Sequence, residues 1–267
     1  MDAVVVLEWK FSPADYFGSS FEIKQNDYTI TVADGKAEAK INSVAYEANS
    51  SIRSELNDVL ESAFLGAQLS NNKIYNLLRP DLTRVEHADG RKDYFLEVEP
   101  AYIKITPHPV TLSKCDNDGN VIEDLETQRT KKYIDLIRKH CKDEVLKKLL
   151  KSRNASMNDS DNELTHLYEI YDALSRKFRG NKKADSREAR STLCKYQNLS
   201  QKKWDQKWRD FTDLCNNAPL KGGRHGGKHE TLRDATDAEL FEVRGTAKAI
   251  IDAYLQYLEK NWAQTHK

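Results

Sequence analysis

The first hundred residues alternate between apolar and polar positions with a period of two, which is typical of half-buried β-strands. The segment VVVLEWKF, residues 4–11, predicts one strand. Two alternating runs, separated by Asn-Asp and Asp-Gly turn signals, follow in residues 20–41. Strand character returns in residues 92–112, although prolines interrupt it. We therefore predict a β-rich domain over residues 1–115.

One helix interrupts this β-rich part. Its apolar residues recur three or four positions apart, so they mark a single helical face. Ser50 or Ser51 precedes that face, and serine is a favoured N-cap residue. The apolar face consists of Ile52, Leu56, Val59, Leu60, Ala63, Phe64 and Ala67.

After about residue 127 the strand patterns largely stop, and four helical patterns follow, each with one apolar face. Ser200 precedes the third, and a capping box, Thr236–Glu239, opens the fourth. Because one-sided helices need a shared core, we predict a four-helix bundle over residues 128–267 and the fold class α+β. The four faces occupy residues 133–149, 164–178, 204–215 and 240–258.

Two polar stretches separate these patterns. Residues 153–162 predict a loop between the first two helices, and residues 116–127 predict a linker or a hairpin turn between the domains. The second stretch begins like an EF-hand calcium loop. Val121 and Thr127, however, stand where that loop needs glycine and glutamate, so we exclude an EF-hand.

The composition limits the class of protein. Hydrophobic residues make up 39% and charged residues 31% of 267 residues. No apolar run approaches the roughly 18 residues of a membrane span, and the first residues lack the basic and apolar regions of a signal peptide. The cysteines form no CxxC pair, so we expect reduced thiols. We expect a cytoplasmic protein with no membrane association, no metal and no other cofactor.

Charge is spread unevenly along this neutral chain. Residues 176–233 carry 16 lysines and arginines and 6 acidic residues, a net charge of +10, so the remainder carries −10. Such a basic block favours a polyanionic partner. The alternative is a solvated helix face that acidic neighbours balance.

The most unusual segment is NNAPLKGGRHGGKHETLRDA, residues 216–235, between the third and fourth helices. Helix connections in bundles need only about 2–8 residues. The segment could be a flexible connection or a phosphate-binding nest of backbone amides, although it lacks the P-loop pattern. His225 and His229 could also bind a metal, but Gly226 and Gly227 weaken the helix on which this spacing would place two ligands.

Arg224 and His229 form an R-x4-H motif in which His225 directly follows the arginine. The motif resembles the signature of HEPN domains, which are four-helix bundles of bacterial toxin and phage-defence systems that bind nucleotides and often act as RNases. In that family the motif is R-x4-6-H, often with a polar residue after the arginine. The resemblance covers roughly residues 128–262, and residues 1–115 resemble no family that we recognise.

The resemblance implies a metal-independent endoribonuclease that cleaves single-stranded RNA by attack of the 2′-hydroxyl. His229 would move a proton, and Arg224 would stabilise negative charge on the phosphate. His225 would be a second proton carrier or would orient His229; a capping or surface role remains open. The expected phosphate-binding residues are Lys221, Lys228 and Arg233.

The family also implies a homodimer through the C-terminal bundle, because two-fold pairing brings two motifs together. RNA and an antitoxin or defence protein are the expected partners. A non-catalytic HEPN-like module that binds RNA, a nucleotide or a partner protein is the alternative. Trp204 and Trp208 could stack on bases, but their spacing on an amphipathic helix favours the core.

Overall fold

A computed structural model describes residues 3–78, 80, 82–96, 125–179, 187–224 and 231–265. It confirms the α+β class, with an antiparallel sheet first and a mostly helical part after it. The chain divides into an N-terminal unit, Met1–Asp135, and a C-terminal unit, Leu136–Lys267. Most of the expected linker, residues 116–127, lies outside the described residues. No described helix is long and apolar enough to cross a membrane.

The sheet of the N-terminal unit is antiparallel, and its strands follow the order β2-β3-β4-β1-β6-β7, with β5 paired to β1. The predicted strand at residues 4–11 is confirmed as β1, and the alternating runs after it form β2, β3 and β4. The bounds are β1 Val4–Ser12, β2 Phe21–Lys24, β3 Tyr28–Ala33, β4 Lys36–Asn42, β5 Asn76–Leu77, β6 Leu82–Glu86 and β7 Lys92–Leu96.

Helices α1 (Ser43–Ala48) and α2 (Ile52–Asn71) follow β4. The predicted helix is confirmed as α2, and its apolar face joins alternate residues of β1, among them the fully buried Trp9, in one core. Ser51 occupies the N-cap position without capping a backbone amide. Its hydroxyl instead donates to Glu55 at 2.7 Å.

A glycine lets α2 approach the next helix, α3 (Leu125–Lys139), within the N-terminal unit. A Cβ atom on Gly66 would lie 3.0 Å from the Cα of Ile134 and 3.2 Å from the carbonyl oxygen of Tyr133. Because these atoms belong to the backbone, any side chain at this position would push the two helices apart.

The C-terminal unit contains the end of α3 and the helices α4 to α8 among its described residues. Helix α7 continues without a break into a π-helical turn, Asp213–Asn217, and a short 3₁₀ turn, Ser160–Asn162, precedes α5. The bounds are α4 Glu144–Asn158, α5 Glu163–Arg179, α6 Arg187–Cys194, α7 Gln201–Thr212 and α8 Asp237–Thr265.

The first predicted helical face, residues 133–149, is divided between α3 and α4. Its apolar spacing continues across the break, so periodicity alone does not reveal two helices. The local signal is Asp143, whose carboxylate accepts a hydrogen bond from the Leu146 amide at 2.7 Å and caps α4.

The predicted loop at residues 153–162 is wrong over its first half, because α4 continues to Asn158. Arg153 and Ser156 in this stretch, and Ser152 just before it, are buried, so their polarity does not mark a solvent-exposed loop. The Ser156 hydroxyl donates to the Arg153 carbonyl, and the Ser152 hydroxyl donates to Glu169 of α5. Buried polar groups that find hydrogen bonds are tolerated inside a core.

Trp204 and Trp208 are fully buried, so their assignment to the core is confirmed. The indole nitrogen of Trp204 donates to the Arg190 carbonyl of α6 at 3.1 Å, which joins a short, polar helix to α7. Neither indole is available to stack on a base.

Candidate functional site

The candidate site is the connection between α7 and α8, residues 218–236, which carries the R-x4-H motif. The structure describes residues 218–224 and 231–236 of this connection. Arg224, Lys221 and Arg233 are therefore described. The other three predicted site residues, His225, Lys228 and His229, lie outside the described residues.

Backbone hydrogen bonds hold the two described ends of the connection together. The Lys221 amide donates to the Arg233 carbonyl, and the Arg233 amide donates to the Pro219 carbonyl, each at 3.0 Å. These bonds form an isolated parallel bridge between Leu220 and Arg233. The two described ends of the connection are therefore ordered, because their backbone amides and carbonyls have hydrogen-bond partners.

The π-helical turn supplies the next anchor. The Arg224 amide donates to the Cys215 carbonyl at 3.1 Å, and the Gly223 amide donates to the Leu220 carbonyl at 3.2 Å. The Cys215 carbonyl is one of those that a helix end leaves without an intrahelical partner. Burial raises the pKa of the Cys215 thiol well above its usual range, so this thiol is not a nucleophile.

Gly222 fixes the connection to the start of α5. Its carbonyl accepts hydrogen bonds from the Thr165 amide at 3.0 Å and from the Thr165 hydroxyl at 2.9 Å. Gly222 has a φ of 71°, and a Cβ atom there would collide with the Asp161 carbonyl. Both the left-handed backbone and the close approach require glycine at this position.

Arg224 lies against an aromatic ring. Its guanidinium carbon is 4.8 Å from the centroid of the Tyr168 ring in α5, the geometry of a cation–π contact. Tyr168 in turn packs against Tyr171, with ring centroids 5.2 Å apart. Burial raises the pKa of the Tyr168 phenol, and the charge of Arg224 opposes that shift. The phenol therefore stays protonated at neutral pH.

The other two described cations of the site are paired with carboxylates. The Lys221 ammonium lies 3.0 Å from Asp234, and the Arg233 guanidinium donates to both carboxylate oxygens of Glu239, at 2.6 and 2.8 Å. No carboxylate in the described part of the chain lies within ion-pair distance of the exposed Arg224. Its charge is therefore the more available one for an added anion.

The predicted capping box of α8 is confirmed. The Glu239 carboxylate accepts from the Thr236 amide at 2.9 Å, and the Glu239 amide donates to the Thr236 hydroxyl at 3.3 Å. Hydrogen bonds from Arg233, and then from Thr236, lower the pKa of Glu239 to about 2. The end of the connection and the start of α8 thus share one carboxylate.

The sequence does not assign Thr165 and Tyr168 to the site. Tyr168 belongs to the apolar face predicted for residues 164–178, and an aromatic residue on such a face is normally part of the core. In the structure it is only half-buried. Thr165 falls between the apolar positions of that face. No pattern within a single helix could identify either residue as a neighbour of residues 222–224.

Arg224, held in this way, can bind a phosphate through the planar donors of its guanidinium. No cluster of three or more histidine, cysteine, aspartate or glutamate residues with the arrangement of a metal site occurs among the described residues. Comparisons of the chain with protein-family models, with curated proteins and with solved structures gave no match.

Proposed function

We propose that this chain is a metal-independent endoribonuclease of the HEPN type that cleaves single-stranded RNA. The observation that carries the proposal is the state of Arg224, the first residue of the motif. Its backbone is anchored, its guanidinium rests on Tyr168, and no described carboxylate neutralises it. An arginine held like this is suited to an anionic ligand.

The proposed reaction begins when a histidine, His229 or His225, takes the proton from an RNA 2′-hydroxyl. The oxygen attacks the adjacent phosphorus, the bond to the 5′-oxygen breaks, and a second protonated group returns a proton to that leaving oxygen. Arg224 stabilises the charge that builds up on the non-bridging oxygens. The products are a 2′,3′-cyclic phosphate and a 5′-hydroxyl.

We further propose that two C-terminal units pair as a homodimer, since one motif offers few groups for both proton transfers. The basic block at residues 176–233 supports RNA as the partner. A cytoplasmic role in phage defence or in a toxin system, with an antitoxin or defence protein as a further partner, follows from the family resemblance.

The test is cleavage of end-labelled single-stranded RNA by the wild type and by the variants Arg224→Ala, His229→Ala and His225→Ala, with and without EDTA. We expect EDTA to have no effect and both Arg224→Ala and His229→Ala to abolish cleavage. His225→Ala decides whether that histidine carries a proton. A single-stranded DNA of the same sequence lacks the attacking 2′-hydroxyl and should remain uncut.

Two controls test whether the loss is specific. Arg91→Ala removes an exposed arginine, and His87→Ala removes a histidine, both in the N-terminal unit and outside the basic block. Both should cleave like the wild type. Cleavage that survives Arg224→Ala, or that EDTA stops, rejects the proposal. Binding of RNA without cleavage would instead favour the non-catalytic module.

A further inference from the structure

Two residues on one face of α5 hold the start of the motif. Thr165 and Tyr168 are three positions apart, so they lie on the same side of the helix. Thr165 takes no part in the proposed reaction. Its amide and hydroxyl donate two hydrogen bonds to the Gly222 carbonyl and so fix its position. Tyr168 contacts the Arg224 side chain, 4.8 Å from ring centroid to guanidinium carbon.

The backbone that leads into Arg224 has little freedom to move. The Gly222 carbonyl is bound to Thr165, the Gly223 amide to the Leu220 carbonyl and the Arg224 amide to the Cys215 carbonyl. The freedom that remains at Arg224 is therefore that of its long side chain, which normally samples many rotamers. Tyr168 is the described ring that limits this freedom.

A carboxylate partner would also fix the side chain, as Glu239 fixes Arg233, but it would neutralise the charge. An aromatic ring holds a guanidinium and leaves its charge and its outer donors for another ligand. We infer that Tyr168 is a positioning residue that holds the Arg224 guanidinium in the orientation needed to contact the scissile phosphate. This role rests on the proposed ribonuclease function of the same site.

The packing around Tyr168 supports such a role. Its ring contacts Tyr171, and Tyr171 contacts the fully buried Trp208 with centroids 5.6 Å apart. The ring is therefore backed by the core of the C-terminal unit. Because core residues hold the Tyr168 ring in place, the ring can in turn hold the Arg224 side chain in place.

The experiment compares wild type, Tyr168→Phe and Tyr168→Leu in single-stranded RNA cleavage. Tyr168→Phe keeps the ring, so its kcat should stay within about 2-fold of wild type, whereas Tyr168→Leu should lower kcat by about 3- to 30-fold, within the range of a lost cation–π contact. KM should change less than kcat, because the Arg224 guanidinium contacts a phosphate whose negative charge increases in the transition state. Equal kcat values for Tyr168→Leu and wild type would overturn the role of Tyr168 and leave the proposed function intact.

A matched control is Tyr196→Leu, which removes a tyrosine whose ring carries Lys260 at 5.8 Å elsewhere in the C-terminal unit. It should cleave like the wild type. A loss equal to that of Tyr168→Leu would mean that any tyrosine–cation pair of this unit has the same effect, and would overturn the inference.

NMR tests the contact without RNA. The side-chain protons of Arg224 should show an upfield ring-current shift that persists in Tyr168→Phe and disappears in Tyr168→Leu; unchanged signals in Tyr168→Leu overturn the inference.

If the wild type binds RNA without cutting it, weaker binding by Tyr168→Leu than by Tyr168→Phe supports the role of Tyr168, and equal binding overturns it. A wild type that neither cuts nor binds RNA overturns the proposed function and this role together.

Discussion

Glu163, at the start of α5, and Arg244, in α8, form an ion pair with two parallel hydrogen bonds. The distances are 2.5 Å from Nε to Oε1 and 2.6 Å from Nη2 to Oε2. The Glu163 side chain is 7% exposed, whereas that of Arg244 is 54% exposed. The pair joins α8, which follows the connection that carries the motif, to α5, whose Thr165 binds Gly222 of that connection. Its buried member, Glu163, depends on the exposed Arg244 for neutralisation.

Arg244→Ala should therefore lower the free energy of unfolding by about 2 kcal/mol, because it leaves a buried carboxylate without its charged hydrogen-bond partner. Arg244→Lys should recover only part of the loss, since an ammonium group cannot form two parallel bonds. Chemical denaturation followed by circular dichroism measures both changes.

The control for this pair is Arg176→Ala. Arg176 and Asp172 form an exposed pair one turn apart on α5, and such pairs contribute about 0.5 kcal/mol or less. A loss in Arg244→Ala no larger than that in Arg176→Ala would contradict the importance of the Glu163 pair.

The capping box predicts a dependence of stability on pH. The hydrogen bonds from Arg233 and Thr236 hold the folded-state pKa of Glu239 at about 2, below the unfolded value of about 4.3. The ionised carboxylate thus favours the folded state. Its contribution is fully present above the unfolded pKa and is lost as the pH falls through the folded pKa.

Glu239→Ala should accordingly be less stable than the wild type by about 1 kcal/mol at pH 7, the usual cost of a lost cap. The difference should shrink between pH 5 and pH 2, roughly the interval between the two pKa values. Unfolding curves of both proteins at several pH values test this. A difference that stays constant down to pH 2 would show that the Glu239 charge has no part in the cap.

Replacement of two helical glycines by alanine should change the free energy of unfolding in opposite directions. Gly245 lies in α8, and a Cβ there would meet nothing within 4 Å. Gly245→Ala should therefore stabilise the protein by up to about 1 kcal/mol, through helix propensity alone. Gly66→Ala brings the same gain, but its Cβ would press on the Ile134 backbone at 3.0 Å. We expect a net loss of about 1–3 kcal/mol, the usual cost of overpacking.

Thermal unfolding of the two variants measures this contrast directly. Each serves as the control for the other, since the substitution and the helical setting are the same. Equal changes in the two variants would mean that α2 and α3 can separate freely around Gly66.

The sequence predicted well what local patterns determine. Alternation located β1, spacing located α2, and the Thr236–Glu239 signature located the start of α8, because each feature depends on residues close together in the chain. The division of residues 133–149 between two helices was missed because the apolar period continues across the break. Residues 153–158 were taken for a loop, since the burial of polar residues in this part of α4, as of the preceding Ser152 beside Glu169, depends on a distant helix.

The site was predicted only in part, for the same reason. Glycine and charge identified the connection, and the motif identified Arg224. The carboxylates that pair with Lys221 and Arg233 were not predicted, although they are close in the chain, because charge pairing depends on the backbone bridge at Leu220. Tyr168 is 56 positions before Arg224 in the chain, and folding alone makes them neighbours.

The pairing of Lys221 with Asp234 leads to a last prediction, on RNA binding. Asp234 is 79% exposed at its side chain and lies 3.0 Å from the Lys221 ammonium, so it competes with any phosphate that approaches that cation. Asp234→Asn removes the competing charge and should strengthen binding of single-stranded RNA. It should also steepen the dependence of log K on log salt concentration, by up to about 0.7 for one added phosphate contact.

Asp27→Asn makes the same change of net charge in the N-terminal unit and should leave both quantities nearly unchanged. Fluorescence anisotropy over a range of salt concentrations compares the two variants with the wild type, and equal slopes in all three would mean that Asp234 does not compete with phosphate for Lys221.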